Sequence, residues 1–137
     1  GTLEAEAFPN AKTGLPICPV LDAGRGEIAT ALYQMQLGEW QQLVAEHITT
    51  VAELCSKIAA RTLFCSHFAK NSHDIAQQIK EQLGEQAVIL NNTLCRARIL
   101  AELGWQRLER GDLDHPTTLQ PLYLRRPGIT TPRREKR

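Results

Sequence analysis

Apolar residues concentrate in one segment, Ile17–Gln34, whose pattern predicts two β-strands joined by a tight turn. In the second strand, Glu27–Gln34, both sets of alternating positions are largely apolar. A strand with two apolar sides is covered on both faces, so we expect it to lie inside a sheet rather than at its rim. The two sides are Ile28, Thr30 and Leu32 on one, and Ala29, Ala31 and Tyr33 on the other.

The pattern upstream and downstream of this pair predicts the remaining elements. Thr2–Ala7 favours a short helix, and Glu39–Ile48 alternates but is more polar, which favours a third strand at an edge. Thr50 and Glu53 have the spacing of a capping box at a helix start. The later elements are strand Arg61–Cys65, a helix from Asn71 or Ser72 to Gly84, strand Ala87–Leu90, and a long helix from Asn92 or Thr93 to about Arg110.

Two details of packing follow from residue type. Pro16 and Pro19 cannot donate to a ladder, so we place the well-paired part of the first strand at Val20–Asp22. One side of the long helix combines small and apolar residues, which predicts close packing on a sheet. That side consists of Ala97, Leu100, Ala101, Gly104 and Leu108.

The resulting order, β-β-β-α-β-α-β-α, predicts an α/β fold with a five-stranded mixed sheet. This is the order of the ribonuclease H-like fold, which each lobe of actin-like ATPases repeats, and fold does not fix function. We divide the chain into a helix-like opening segment and loop (1–14), a ribonuclease H-like lobe (15–111) and an extended segment with a basic tail (112–137).

Composition narrows the functional classes. The chain has 137 residues, 42% of them hydrophobic and 23% charged, as in an ordinary globular domain. A net charge of +1 gives no general attraction to nucleic acid, and the few aromatic residues disfavour a base-stacking platform. Four cysteines without a Cys-x-x-Cys pair predict buried free thiols in a reducing cytoplasm, and no apolar run is long enough to span a bilayer. They are Cys18, Cys55, Cys65 and Cys95.

The link between the first two strands has two interpretations. Its composition suits a hairpin turn with a charged tip. It also suits an anion or nucleotide loop, in which amides near Gly24 and Gly26 face a phosphate, with Asp22 and Arg25 beside them.

Other candidate chemistry is sparse, and the sequence predicts no catalytic residue and no metal site. A metal nuclease needs several converging carboxylates, and only Asp22 and Glu53 are candidates. Cys65 and His67 could share one side of an extended segment, but no third group that would orient them is evident. No two of His47, His67, His73 and His115 have the i, i+4 spacing of a helical metal pair.

Two segments resemble the TsaB (YeaZ) family. The stretch PVLDAGRGEIATALY is similar to that family's Pro-Val-Leu-Asp-Ala-Arg-Arg-Gly-Glu-Val-Tyr segment, with Gly24 in place of an Arg and Ala29 in place of an aromatic residue. A later stretch is similar to its Pro-Val-Tyr-Leu-Arg segment. The matching residues are Asp22, Ala23, Arg25, Gly26 and Glu27 in the first segment, and Pro121, Tyr123, Leu124 and Arg125 in the second.

The resemblance implies a function in making threonylcarbamoyladenosine (t6A) on tRNA. It implies a non-catalytic subunit that partners a TsaD-type ligase, mainly through an earlier lobe, and a TsaE-type ATPase, with tRNA contacted indirectly. The ligase of that system carries a histidine pair at i, i+4 spacing, and this sequence has none, which argues that the chain is not the ligase itself. The resemblance further allows a homodimer, and it implies no cofactor on this lobe alone, with ATP or ADP bound at the level of the complex.

The chain's start and end carry two more expectations. Gly1–Ala7 resembles the end of the segment that follows the first lobe of the family, so we expect the chain to be a second lobe. The basic tail either contacts tRNA phosphates or is solvated. Its cationic residues are Arg125, Arg126, Arg133, Arg134, Lys136 and Arg137. The alternative function is a nucleotide-binding phosphotransferase or ATPase of the actin or sugar-kinase type, with Asp22-Ala23-Gly24 as its phosphate loop.

Overall fold

The structure is a computed structural model that describes residues 1–66, 73–91 and 95–125. Its elements follow the order that the sequence predicts, after a short first helix. They are helix α1 (Thr2–Ala7), a 3₁₀ helix (Phe8–Thr13), strands β1 (Ile17–Gly24), β2 (Glu27–Gln36) and β3 (Glu39–Thr49), helix α2 (Val51–Lys57), strand β4 (Thr62–Ser66), helix α3 (His73–Leu83), a 3₁₀ helix (Gly84–Gln86), strand β5 (Ala87–Asn91) and helix α4 (Arg96–Glu109).

The five strands form one mixed sheet in the order β3-β2-β1-β4-β5. β3, β2 and β1 are antiparallel neighbours, whereas β1, β4 and β5 run parallel. The α/β class and the five-stranded mixed sheet are therefore confirmed, and so are the inner place of β2 and the edge place of β3. The division of the chain at residues 14 and 111 stays a prediction.

The two sides of β2 face two separate cores, as its alternation predicts. Ile28 and Leu32 pack with helices α2 and α3 on one face of the sheet. Ala31 and Tyr33 pack on the other face with Leu3 of α1. At the start of α2, the Thr50 side chain accepts a hydrogen bond from the Glu53 amide at 3.2 Å, which is the Thr50 half of the predicted capping box. The Glu53 carboxylate accepts from the Thr49 hydroxyl.

β1 begins earlier than predicted, because Pro19 is accommodated inside the sheet. Pro19 is fully buried and lies opposite Cys65 of the parallel neighbour β4. Its carbonyl oxygen accepts a hydrogen bond from the Thr30 hydroxyl of β2 at 2.8 Å. This side-chain bond supports the strand where proline cannot donate.

The predicted inward side of α4 is wrong. Ile99 and Leu103 are the buried residues of this helix, and they pack on Ala5 and Phe8 rather than on the sheet. α1 already covers this face of the sheet, so α4 rests on α1. The five residues expected to face inward are exposed: Ala97, Leu100, Ala101, Gly104 and Leu108.

Some sequence expectations cannot be compared with the described residues. The helix caps at Asn71 or Ser72 and at Asn92 or Thr93 lie outside them, as do His67 and the tail from residue 126. None of the helices in the described ranges is long and apolar enough to cross a membrane.

Candidate functional site

The predicted loop after β1 is a two-residue hairpin turn. Arg25 and Gly26 connect β1 to β2, and both have positive φ angles, 59° and 76°. A type I′ turn requires positive φ at both central residues, which glycine adopts at little cost and arginine rarely adopts. The local backbone is therefore that of the hairpin tip that the sequence suggested.

Asp22 takes part in shaping this tip. Its Oδ1 accepts a hydrogen bond from the Gly24 amide at 2.7 Å, the pattern of an Asx turn. The Gly24 amide, which would have to donate to a bound phosphate in an anion loop, therefore already donates to the Asp22 carboxylate. The Arg25 side chain is exposed. Anion binding by Asp22, Gly24, Arg25 and Gly26 stays a prediction.

The two segments that resemble the TsaB family meet at this hairpin. Arg125 Nη2 donates to Glu27 Oε2, across 98 positions of sequence. Both side chains are about two-fifths exposed, so water screens the pair. The contact fixes the end of the described tail beside the first residue of β2. The sequence gives both residues as motif members but carries no sign that they touch.

A cavity of about 740 Å³ opens between α1, the β2–β3 edge of the sheet, α4 and the segment after α4. Tyr33 and Trp40 lie on its sheet side, with ring centroids 5.4 Å apart and planes nearly parallel. Arg107 and Glu4, joined at 2.8 Å, lie on its helix side. Its lining thus combines an aromatic stack with the Arg107–Glu4 ion pair.

The Tyr33 hydroxyl belongs to a small polar group at this cavity. It donates to Glu46 Oε1 at 3.4 Å and accepts from Gln42 Nε2 at 3.2 Å. Burial and then the negative charge of Glu46 raise the pKa of Tyr33 well above its usual value. The phenol therefore keeps its proton further into the alkaline range than an exposed tyrosine does. Sequence analysis missed this cluster, although Tyr33 and Trp40 occupy neighbouring strands of the predicted sheet.

The thiols are placed to pack rather than to react. Cys18 lies 3.1 Å from the Thr30 hydroxyl, and burial raises its pKa to about 12. Burial also raises the pKa of Cys55. A protonated thiol is a poor nucleophile. Cys18, Cys55 and Cys65 are buried as predicted, whereas Cys95 is exposed at the start of α4, so that expectation is wrong.

The other candidate residues, one glutamate and two histidines, lie away from the hairpin and form hydrogen bonds with residues near them in sequence. Glu53 accepts from Thr49 Oγ1 at 2.9 Å at the start of α2. His47 Nδ1 donates to the Ala45 carbonyl at 2.8 Å, and His115 bonds within the segment after α4. The part of the chain that the structure describes contains no group of three or more His, Cys, Asp or Glu residues that could hold a metal ion.

Comparison with known proteins gives structural matches. No family model and no curated protein sequence matches the chain. A crystal structure of an uncharacterized protein with similarity to peptidase YEAZ from Pseudomonas aeruginosa matches with a TM-score of 0.60 and 20% identity, over 90% of this chain and 55% of that one. YeaZ from Pseudomonas aeruginosa matches with a TM-score of 0.59 and 19% identity, over 89% and 55% of the two chains.

The chain thus spans little more than half the length of these solved structures. At this level of identity the matches establish a shared fold. They also confirm, at the level of structure, the resemblance to YeaZ proteins that the two sequence segments indicate.

Proposed function

We propose that the chain is a TsaB-like lobe that acts as a non-catalytic subunit beside a TsaD-type ligase in t6A modification of tRNA. The observation that carries this proposal is the contact between Glu27 and Arg125. Two segments at distant points of the chain each resemble the same family. The last matching residue of the first, Glu27, forms an ion pair with the last matching residue of the second, Arg125. The fold around them is shared with YeaZ.

The sheet supports the finer fold assignment within this proposal. Three antiparallel strands followed by two parallel ones, in the order β3-β2-β1-β4-β5, fit a ribonuclease H-like lobe. In the proposed arrangement this is the second of two lobes in a cytoplasmic protein. The ligase contacts mainly the lobe before it, and the TsaE-type ATPase supplies nucleotide chemistry to the complex.

The hairpin geometry supports a non-catalytic role. Asp22, the acid of the proposed nucleotide loop, accepts the Gly24 amide within its own turn. The Cys18 thiol, with its pKa raised to about 12 by burial, is not poised as a nucleophile. The lobe then serves to hold the ligase in its competent state while the ligase carries out transfer to tRNA adenosine.

The experiment is complementation of a strain depleted of its own TsaB-like protein, with t6A measured in digested tRNA. We expect the complete two-lobed protein to restore t6A and residues 1–137 alone to fail, because the proposed ligase contact lies on the other lobe. Failure of the two-lobed protein would overturn the proposed function. Full rescue by residues 1–137 would place the working surface in this lobe instead.

An Asp22→Ala variant of the two-lobed protein separates the subunit from an ATPase or phosphotransferase. We expect this variant to restore t6A, provided that its circular dichroism spectrum matches that of the parent. ATP turnover by the parent that disappears in Asp22→Ala would contradict the non-catalytic role.

A further inference from the structure

The cavity beside the β2–β3 edge carries charges of opposite sign on its two sides. On the sheet side, the Glu46 carboxylate accepts a hydrogen bond from the Tyr33 hydroxyl at 3.4 Å. On the helix side, Arg110 lies at the end of α4, one turn after Arg107. Arg107 is already paired with Glu4. In the part of the chain that the structure describes, neither Glu46 nor Arg110 forms an ion pair.

The cavity also has apolar surface that its own residues leave open to water. Leu119 and Leu122 both line it, but they remain 65% and 70% exposed. Trp40, stacked on Tyr33, contributes an aromatic ring to the opposite side. A ligand that entered between them would cover this apolar surface, so the middle of the ligand should itself be apolar.

The segment after α4 holds these leucines beside the cavity, because it is fixed at both ends. At its start the amides of Gly111 and Asp112 donate to the carbonyls of Leu108 and Arg107, at 3.1 Å and 3.0 Å, which is the pattern of a Schellman motif. At its end Arg125 pairs with Glu27.

A turn in between shapes the same segment, since the amides of Thr118 and Leu119 donate to the His115 carbonyl at 2.9 Å and 3.0 Å. This side of the cavity is therefore formed before a ligand arrives, which lowers the entropic cost of binding.

The size of the cavity and the separation of its charges define the ligand. About 740 Å³ lies within the range of roughly 300–1,000 Å³ that small-molecule sites have. Glu46 and Arg110 belong to different sides, so a ligand that satisfies both carries its positive and negative groups at separate ends. The ammonium and carboxylate of a free amino acid are bound to one carbon atom, whereas those of a short peptide are separated by its length.

We propose that this cavity binds a short peptide with free ends and apolar side chains. Its terminal ammonium donates to Glu46 beside the Tyr33 and Trp40 rings, where a cation is further favoured by the aromatic ring faces. Its terminal carboxylate accepts from the Arg110 guanidinium, whose planar donors match a carboxylate. The reverse orientation would place two carboxylates together at Glu46. This inference is independent of the proposed function.

Tryptophan fluorescence reports on this cavity directly. The chain has two tryptophans, Trp40 at the cavity and Trp105, which is exposed and does not line it. Trp105→Phe therefore leaves Trp40 as the only tryptophan reporter of the chain. The probes are leucylphenylalanine and leucylalanylphenylalanine, which differ in length and contain no tryptophan. We expect at least one of them to change the Trp40 emission in a saturable way, with a Kd of about 1 mM or tighter.

Blocked forms of the tighter probe test the two ends separately. The N-acetylated peptide lacks the ammonium and the peptide amide lacks the carboxylate, and each should bind about tenfold more weakly than the free peptide. Glu46→Gln should abolish the preference over the N-acetylated form but keep the preference over the amide. Arg110→Gln should do the reverse. Arg98→Gln, an exposed change in the same helix away from the cavity, is the matched control and should bind all forms like the parent.

Four results would overturn the proposal. The first is that neither peptide gives a saturable change in the Trp40 emission. The second is equal affinity for the free and blocked peptides. The third is binding of free phenylalanine as tight as that of the peptides, which would contradict a ligand with separated ends. The fourth is an equal loss for every form of the probe in Glu46→Gln and Arg110→Gln, which would show that these residues act on the fold and not on the ligand.

Discussion

At the residue scale, the interior of this sheet includes a polar side chain, Thr30, that is hydrogen-bonded across to the neighbouring strand. Thr30, with no exposed surface, donates to the Pro19 carbonyl and lies beside the Cys18 thiol. A buried hydroxyl that lost such a partner would cost about 1–3 kcal/mol. The alternation of β2 predicted that Thr30 faces inward. Pro19 was predicted to lie outside the well-paired part of β1. That prediction followed from residue preference alone, which does not include a side-chain donor such as Thr30 on the neighbouring strand.

The Cys18 thiol predicts a loss of stability at alkaline pH. Below pH about 9 the thiol is protonated in both folded and unfolded chains, so it contributes no pH dependence. Above that pH the unfolded chain loses the proton, while the folded protein keeps it until its pKa of about 12. The free energy of unfolding should therefore fall by about 1.4 kcal/mol per pH unit from this group, and Tyr33 adds to the loss above pH about 10.

Urea unfolding at about pH 8, 9, 10 and 11 measures this dependence, because this range lies between the pKa values of the unfolded and folded thiol. Cys18→Ala should give a shallower decline than the parent. Cys95→Ala removes an exposed thiol and is the matched control, with a decline equal to that of the parent. An equally steep decline in Cys18→Ala would refute the assignment.

At the scale of elements, the rotation of α4 shows where sequence pattern stops being sufficient. Two apolar stripes compete on this helix, one through Ile99 and Leu103 and the other through Leu100 and Leu108. Periodicity indicates both and cannot choose between them. The choice depends on α1, which lies about ninety positions earlier and whose Glu6 bonds Arg96 at 2.5 Å.

The register of the edge strand β3 is a second feature that sequence pattern does not predict. The alternation of β3 predicted a strand at an edge, which is confirmed, but gave no sign that its register with β2 shifts twice near Leu32. Such bulges twist an edge strand and hinder its pairing with another chain. Leu43 and Val44, 40% and 43% exposed, lie in this irregular part. We therefore expect β3 to be a poor template for added strands.

The two ion pairs between α1 and α4 predict unequal effects on stability. Arg96 and Arg107 are similarly exposed, at 49% and 48%, but the Glu6 side chain is 4% exposed and that of Glu4 is 13%. Arg96→Met leaves a buried carboxylate without this cation and should cost about 2 kcal/mol. Arg107→Met is the matched control and should cost less than about 1 kcal/mol.

Chemical denaturation of the two variants measures this difference in the free energy of unfolding. Adding Glu6→Gln to Arg96→Met removes the buried negative charge that Arg96 had balanced, so part of the lost stability should return. Equal effects of Arg96→Met and Arg107→Met would mean that burial of Glu6 does not govern the α1–α4 contact.

At the scale of the whole molecule, the sequence predicted the sheet better than the contacts that close it. Alternation in β2 and β3, and helix periodicity between the later strands, gave the element order and the places of both strands. The meeting of Glu27 and Arg125 could not be predicted, because no periodic pattern relates residues 98 positions apart. The Tyr33–Trp40 stack and its cavity likewise depend on how four separate elements come together.

The Glu27–Arg125 pair predicts how firmly the segment after α4 is held. Residues 112–125 are exposed apart from Leu124, so few apolar contacts hold this segment, and one surface ion pair is worth about 1 kcal/mol or less. Arg125→Glu should therefore leave the melting temperature almost unchanged. It should speed chymotrypsin cleavage within this segment, at Tyr123 for example, by up to about fivefold, because cleavage follows the population of the open form. Adding Glu27→Arg should restore the parent rate. Equal cleavage rates in all three proteins would show that the pair does not hold the segment, and the link between the two motifs would then lie in packing alone.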